Sequence, residues 1–458
     1  MSSSARPGPP AVDPDDPLAL AEYATGLAVA LTDAERWPAL DAAGAARLDA
    51  VQRHPLAPVW VHRTGDRLTA EGVRRAQTPL PVEGWLVEHL STARRLPAYR
   101  RVADSLGELD TWPTVTRDDL LDDVSAFVPL DADLDRMIEG SSSGTTGRAL
   151  QIPDDIEEVA RTFHLLVALV AAQGIEWRPD PERMALAYVV HQRQAFTYAS
   201  SISSFGQSTM ARLNLHSSQW PAAQRTGFLL AQQPQVITGN PTSLAELLHP
   251  DLVAGLRPLA LFSGAMALSL GLRRDLERAY GCPVIDVYGL HETRPIAASA
   301  DGGPFVVLDR RVHVEVLDVD GRPVPTGQRG EIVVTAGENP LLPLVRYRTG
   351  DFGRLVEVGG RPALADLEGR EATRFLAGDG TLVPSVDLTQ QLQAGGALGW
   401  AVRQAAGGEV TATVVGGDPD RIGTALGLLL HRPVTLTAAA TLLELGEGKP
   451  RRYESAAT

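Results

Sequence analysis

The sequence predicts an α/β protein on three observations. Short β-branched or apolar runs alternate with helix-like stretches through the middle of the chain, the texture turns antiparallel after about residue 306, and the C-terminal stretch carries strands and a helix of its own. In the middle, MALAYVV, QVITG, PLALFSG and PVIDVYG read as strands, and PAAQRTGFLLA, SLAELL and SLGLRRDLERAYG as helices. That alternation is what parallel βα units produce. VVLDRRVHVEVLDVDG, GEIVVTA and FGRLVEV, with turn signals such as DVDGRP, read as antiparallel β. Beyond Gly369, EVTATVVGG and PVTLTAAA are strands and PDRIGTALGLLL a helix, the makings of a small α+β unit on a hinge.

Upstream, the Ala/Leu periodicity of LALAEYATGLAVAL and GWLVEHLSTARRL predicts amphipathic helices across about 18–105, and Thr116 ahead of a run of acids reads as a helix N-cap. The Pro-, Ser- and Asp-rich residues 1–17 bury too little apolar surface to offset ordering entropy and are expected to be disordered. The expected organisation is therefore a leader over 1–17, a large domain over 18–369 and a small C-terminal domain over 370–458. A chain of 458 residues with 44% hydrophobic and 21% charged side chains is a folded protein too long for one simple core.

The formal charge of −14 supplies no broad cationic face, which argues against nucleic acid and anionic membranes as partners. A lone Cys282 excludes an intramolecular disulfide framework and cysteine-rich metal sites, and fits a reducing, cytoplasmic setting. No apolar run reaches the roughly 18 residues of a membrane span.

The strongest local signal is Gly140-Ser-Ser142-Ser143-Gly144-Thr145-Thr146-Gly147-Arg148. Its glycines permit positive φ and let backbone N–H groups approach an anion, the hydroxyls add donors, and Arg148 adds charge. The GK[ST] ending of a Walker A loop is missing, and a flexible Ser/Gly turn is the bland alternative. Downstream stand Ser263-Gly264-Ala265 at a strand end, Asp286-Val-Tyr288-Gly289-Leu-His291-Glu292-Thr293, and Pro343-Leu-Val-Arg346-Tyr347-Arg348-Thr349-Gly350-Asp351. Gly369-Arg370-Glu371 and Gly446-Glu-Gly448-Lys449-Pro-Arg451-Arg452 follow. An aromatic face such as Tyr288 stacks on a base, the glycine admits a ligand, and a carboxylate such as Glu292 holds Mg²⁺ between phosphates. An HExxH zinc motif is excluded, because Pro295 stands where the second histidine is needed.

These segments, in this order across some 300 residues, resemble the signatures of the adenylate-forming enzymes. LPAYRR, TGNPTSLAELL and the total length are similar to the phenylacetate–CoA ligase branch. The resemblance covers about residues 90–458 and implies a large ATP- and acid-binding domain with a mobile C-terminal lid. It implies that Ser142 to Arg148 grip the β- and γ-phosphates, that Ser263, Gly264 and Ala265 lie against adenine, and that Asp351 binds the ribose. Ala265 departs from the branch, which more usually has Glu there, and His291 replaces the motif's Thr. His291 is then placed to touch the acyl-adenylate phosphate or the substrate carboxylate. Arg370 is implied to reach ribose or phosphate, Glu371 to be the hinge, and Lys449 to enter the site during adenylation.

The implied activity is ATP-dependent formation of an acyl-AMP from a small carboxylic acid, followed by transfer to a thiol, with ATP and Mg²⁺ as cofactors and coenzyme A as co-substrate. The second nucleophile leaves few sequence marks, so a phosphopantetheinyl carrier protein or an amine is the alternative acceptor. A degenerate nucleotide-binding scaffold is the alternative from another class. Tyr188, His191, Phe196, Tyr198 and Phe205 fall where related enzymes build the acyl pocket, which suits an aryl or arylacetic acid; core packing is the competing role for each. His191 and Gln192 instead mark a polar ring substituent.

Overall fold

The computed structural model of the chain describes residues 31–142, 150–192, 195–217, 220–369, 373–446 and 451–457, apart from the side chains of 139–142. The leader lies outside them. The first helices are α1 Asp33–Arg36, α2 Ala42–Gln52, α3 Ala70–Gln77 and α4 Trp85–Ala93. Thr32, Asp41 and Thr69 begin the first three by accepting a backbone N–H of the opening turn, which relieves one of its orphan donors. Thr116 does the same for α5, Arg117–Asp123, in a capping box with Asp119, as its sequence predicts. α4 is pinned to the large sheet by buried His89, whose Nε2 lies 2.9 Å from the Leu344 carbonyl.

An antiparallel hairpin of β1, Met137–Ser142, and β2, Leu150–Asp155, brackets the segment 143–149. Asp155 then caps the sixteen-residue α6, Ile156–Ala171, by accepting from the N–H groups of Glu157 and Glu158.

The large sheet is built from β3 Leu186–Val190, β4 Tyr198–Ile202, β5 Ser208–Asn214, β6 Val236–Gly239, β7 Ala260–Gly264 and β8 Val284–Leu290. It continues through β9 Arg294–Ser299, β10 Phe305–Val307, β11 Val312–Leu317, β12 Arg329–Ala336, β13 Leu344–Val358 and β14 Arg361–Gly369. Among the described residues the order is β11-β12-β13-β14-β10-β9-β8-β7-β6-β3-β5-β4. Strands β5, β3, β6, β7 and β8 are parallel, so each needs a crossover. Helices α7 Ala222–Gln232, α8 Pro241–Ala245, α9 Pro250–Gly255 and α10 Leu270–Tyr280 supply cover on one face. Phe163 and Val170 of α6 cover the other. The antiparallel portion begins at β9, twelve residues earlier than the texture suggested, and continues the same sheet.

Gly239 ends β6 where a Cβ would meet the Ser243 hydroxyl at 2.5 Å and the Val189 carbonyl at 2.8 Å, so only glycine lets α8 start there. From residue 373 onward a separate unit forms, with β15 Arg374–Leu376 paired to β16 Leu382–Pro384, and helices α11 Ser385–Ala394 and α12 Pro419–Leu430. These helices pack on a four-stranded sheet of β17 Gly399–Gln404, β18 Val410–Val415, β19 Val434–Ala439 and β20 Tyr453–Ser455, around a core centred on Phe375, Leu388, Val402 and Leu426.

Phe228 of α7 is fully buried and meets His54, Trp60 and Trp220 edge-on. Phe228→Ala is expected to lower the unfolding free energy by about 3–5 kcal/mol, read by equilibrium urea denaturation. A loss under about 1 kcal/mol would show that this junction carries little of the fold's stability.

Candidate active site

The carboxyl ends of parallel strands are where open α/β sheets bind ligands, and two of the sequence motifs sit there side by side. Ser263 and Gly264 at the end of β7 pair in register with Asp286 and Val287 of β8. Ala265, just beyond, holds φ 64°, a left-handed conformation unusual for a residue with a Cβ. Tyr288 and Gly289 close β8 at a bulge against β9. A Cβ at Gly289 would lie 2.4 Å from the Arg294 carbonyl, so packing of the next strand already requires this glycine, before any ligand does.

The RYRTGD motif comes to the same place although β13 lies four strands from β8, about 19 Å along a flat sheet. The sheet therefore curls until the Tyr288 hydroxyl donates to Asp351 Oδ2 at 3.0 Å. Gly350, at φ 73°, makes the turn that presents Asp351, whose own N–H donates to the Thr349 hydroxyl at 3.0 Å. Glu292, a buried carboxylate, accepts at Oε1 from Arg117 at 3.0 Å and from the Tyr347 hydroxyl at 3.3 Å. Burial and the Glu292 charge push the Tyr347 phenol up, so it stays a donor. The first residue of α5, the Tyr of RYRTGD and the Glu of the Tyr-Gly motif thus converge on one oxygen.

His291 is held from below: its Nε2 lies 3.0 Å from Oδ2 of Asp154, a buried residue of β2. Asp154 and Glu158 also clamp Arg294, whose φ of 63° is again left-handed. Burial alone would depress that guanidinium's pKa, but Glu158 and Asp154 outweigh it and the net direction is upward. Asp154, Glu158, Arg294 and Arg117 were not singled out by sequence, and Tyr347 stood in its motif without a role. The acidic run PDDIEE, which opens a helix, is a local signal that could have found the first two.

Buried Asp286 is pushed up to about 6 by burial, against the pull of Arg273, Ser263 and Arg452. Arg452 comes from the C-terminal unit, lies 4.6 Å over the Trp400 ring and donates to the Ala267 carbonyl at 2.6 Å, beside the Ser263-Gly264 turn.

The residues named for an acyl pocket divide. Tyr188 and Tyr198 both face Arg212 across the β3–β5–β4 register, and the Arg212 guanidinium stacks 3.8 Å from the Phe196 ring. Phe205 is buried against Phe163 and Trp177 and is a core residue. His191, one residue past β3, is buried with its ring 4.9 Å from that of His216, and its Nδ1 has no hydrogen-bond partner among the described residues. Burial lowers the His191 pKa, opposed by Glu246 and reinforced by His216 and Arg225. Gln192 is fixed through its backbone, whose N–H and carbonyl bond the Asn214 side chain. Residues Ser143 to Arg148, Arg370, Glu371, Lys449 and the Ser142 side chain lie outside the described set.

Comparison with known proteins follows this geometry. A family model described as AMP-binding enzyme matches residues 168–339. The phenylacetate-coenzyme A ligase of Escherichia coli (strain K12) is 24% identical over 294 residues, 59% of this chain and 65% of that protein. The protein of the same name from Pseudomonas putida is 33% identical over 142 residues, 28% of this chain and 32% of its own length. The chain thus spans less than two thirds of either relative. Among solved structures, the 2-hydroxyisobutyryl-CoA ligase in its postadenylation state superposes with TM-score 0.60 at 17% identity, over 83% of this chain and 88% of that one.

The Asp286 shift gives a signed prediction. Its folded pKa of about 6 exceeds the ordinary 3.8, so the fold bears no cost from this group below about pH 4, and a cost that grows to its full size as pH rises past about 6. The stability of Asp286→Asn minus that of the wild type is expected to rise by about 3 kcal/mol between those limits. A flat or falling difference in urea melts at stepped pH would contradict the shift.

Proposed function

We propose that the chain, which matches the AMP-binding enzyme model over 168–339 and is similar to phenylacetate–CoA ligases, is an adenylate-forming enzyme that activates a small carboxylic acid with ATP as the acyl-adenylate and passes the acyl group to coenzyme A. The observation that carries this reading is the meeting of Tyr288, Asp351 and Glu292, from motifs dozens of residues apart, at one end of the sheet. In this reading adenine stacks on Tyr288 beside Ser263-Gly264-Ala265, and the ribose hydroxyls donate to Asp351. Glu292 would hold Mg²⁺: among the described residues its two donors, Arg117 and Tyr347, both use Oε1, which leaves Oε2 for an ion. An ion held there would supply positive charge to the phosphates, and the protein's own part is to position the carboxylate for attack at the α-phosphorus.

In this reading His291, held at Nε2 by Asp154, touches the acyl-adenylate phosphate or the substrate carboxylate through the rest of its ring. Ser143 to Arg148 grip the outer phosphates, and Arg370 and Glu371 form the hinge on which the small domain over 370–458 turns. Lys449 supplies positive charge to the first step. It is the only lysine among 42 basic side chains, so at this one position the chain has kept an ammonium where it uses guanidinium everywhere else.

The acid is an aryl or arylacetic acid bearing a polar substituent. Tyr188, Phe196 and Tyr198 supply the aromatic surroundings, and His191 lies within electrostatic reach of His216, Arg225 and Glu246. Arg225 Nη1 and His191 Nδ1 are buried and unbonded there, and a hydrocarbon ring would leave them so.

ATP–pyrophosphate exchange over matched hydroxy-, amino- and unsubstituted aryl and arylacetic acids tests this, with background exchange across the panel as the result that sinks it. Comparing CoA with a phosphopantetheinyl carrier protein in product formation settles the acceptor. Lys449→Ala is expected to lower acyl-AMP formation by about 10²-fold or more while keeping thiolation of supplied acyl-AMP. Equal loss of both steps would contradict a role confined to adenylation.

A further inference from the structure

Away from the motif cluster, α3, α6 and the loop following β12 line an open cavity of about 660 Å³. Arg74, Arg75, Arg136, Arg161 and Arg311 line it, an unusual concentration of guanidinium on a chain with formal charge −14. The carboxylates on the same wall are already engaged. Glu71 and Glu157 bind Arg75, Glu157 also pairs with Arg136 at 3.1 Å, and Glu338 pairs with Arg310 at 3.2 Å and accepts the Arg311 backbone N–H.

Arg136 also pairs with Asp155 at 2.7 Å, which leaves Arg161 and Arg74 as the lining guanidiniums with neither a close ion pair nor a hydrogen bond among the described residues. Arg161, with a side chain only 10% exposed, makes no hydrogen bond among the described residues, and its single ion pair, to the already shared Glu157, is 3.9 Å long. Its Nε is thus withdrawn from water without a hydrogen-bond partner, a cost that an anion bound to the guanidinium offsets. Arg74, exposed on the rim, likewise has no partner among the described residues. Leu80 and Pro340 give the cavity an apolar side.

We propose that this cavity is a second ligand site, separate from the nucleotide site, that takes a small phosphate monoester: the phosphate on Arg161 and Arg74, and the organic portion against Leu80 and Pro340. Guanidinium forks match phosphate oxygens bidentately, and the apolar wall distinguishes an ester from the free ion.

Isothermal titration of the full chain, held saturated with ATP in the absence of acid, tests this with inorganic phosphate and phenyl phosphate as probes. Saturable binding of both is expected, tighter for phenyl phosphate. Arg161→Gln is expected to weaken it by about tenfold or more, as the loss of a charged hydrogen-bonding partner does. Arg74→Ala, a rim change that leaves the buried packing alone, is expected to weaken it as well, which guards against misfolding of the first variant. Absence of saturable binding, unchanged affinity in both variants, or binding abolished by ATP would overturn the proposal, and equal affinity for the two probes would overturn its assignment to an ester.

Discussion

The clamp of Asp154 and Glu158 on Arg294 is the interaction on which the site's architecture depends. Glu158 is fully buried and Asp154 nearly so, so neither carboxylate is tolerable without its cation, and removing one member of such a buried set leaves an uncompensated charge costing about 3–5 kcal/mol. The clamp is also what makes two distant segments one body. Asp154 is the penultimate residue of β2, the strand that follows the segment 143–149, and Arg294 begins β9, immediately after the Tyr-Gly motif. The left-handed backbone at Arg294 fits that reading, since an unfavourable φ persists where its surroundings over-determine it.

From that junction the other contacts follow in order. The strand end carrying Arg294 requires Gly289 beneath it, which fixes the bulge that aims Tyr288 toward Asp351. Asp154 turns His291, and Glu292 is drawn the opposite way to Arg117 and Tyr347. Adjacent residues of one short motif are thus held by different parts of the chain, and the spacing between an imidazole and a carboxylate is set by packing. Arg452, bridging Trp400 and the Ala267 carbonyl, brings the C-terminal unit to the same end of the sheet.

Much of this was legible in the residues. The βα alternation gave the parallel strands, the Thr116 cap gave α5, and every strand and helix quoted from the middle of the chain has a counterpart in the fold. Less was legible where two uses compete for one residue type. Phe205 read equally as pocket or core, and only its contacts with Phe163 and Trp177 decide for the core. Tyr188, Phe196 and Tyr198 read as a hydrophobic lining, yet they are organised around the charged Arg212, a residue with no signal of its own.

The sequence by itself determined the elements and the chemistry of the motifs, because hydrophobic period, capping residues and glycine placement are local properties that a window of a few residues expresses. Only the tertiary structure decided which partner each buried charge received. Arg117 and Glu292 are 175 residues apart and His291 and Asp154 are 137 apart. No local pattern encodes a pairing at that distance. It is fixed by the curl of one sheet and by the requirement that charges withdrawn from water meet their opposites.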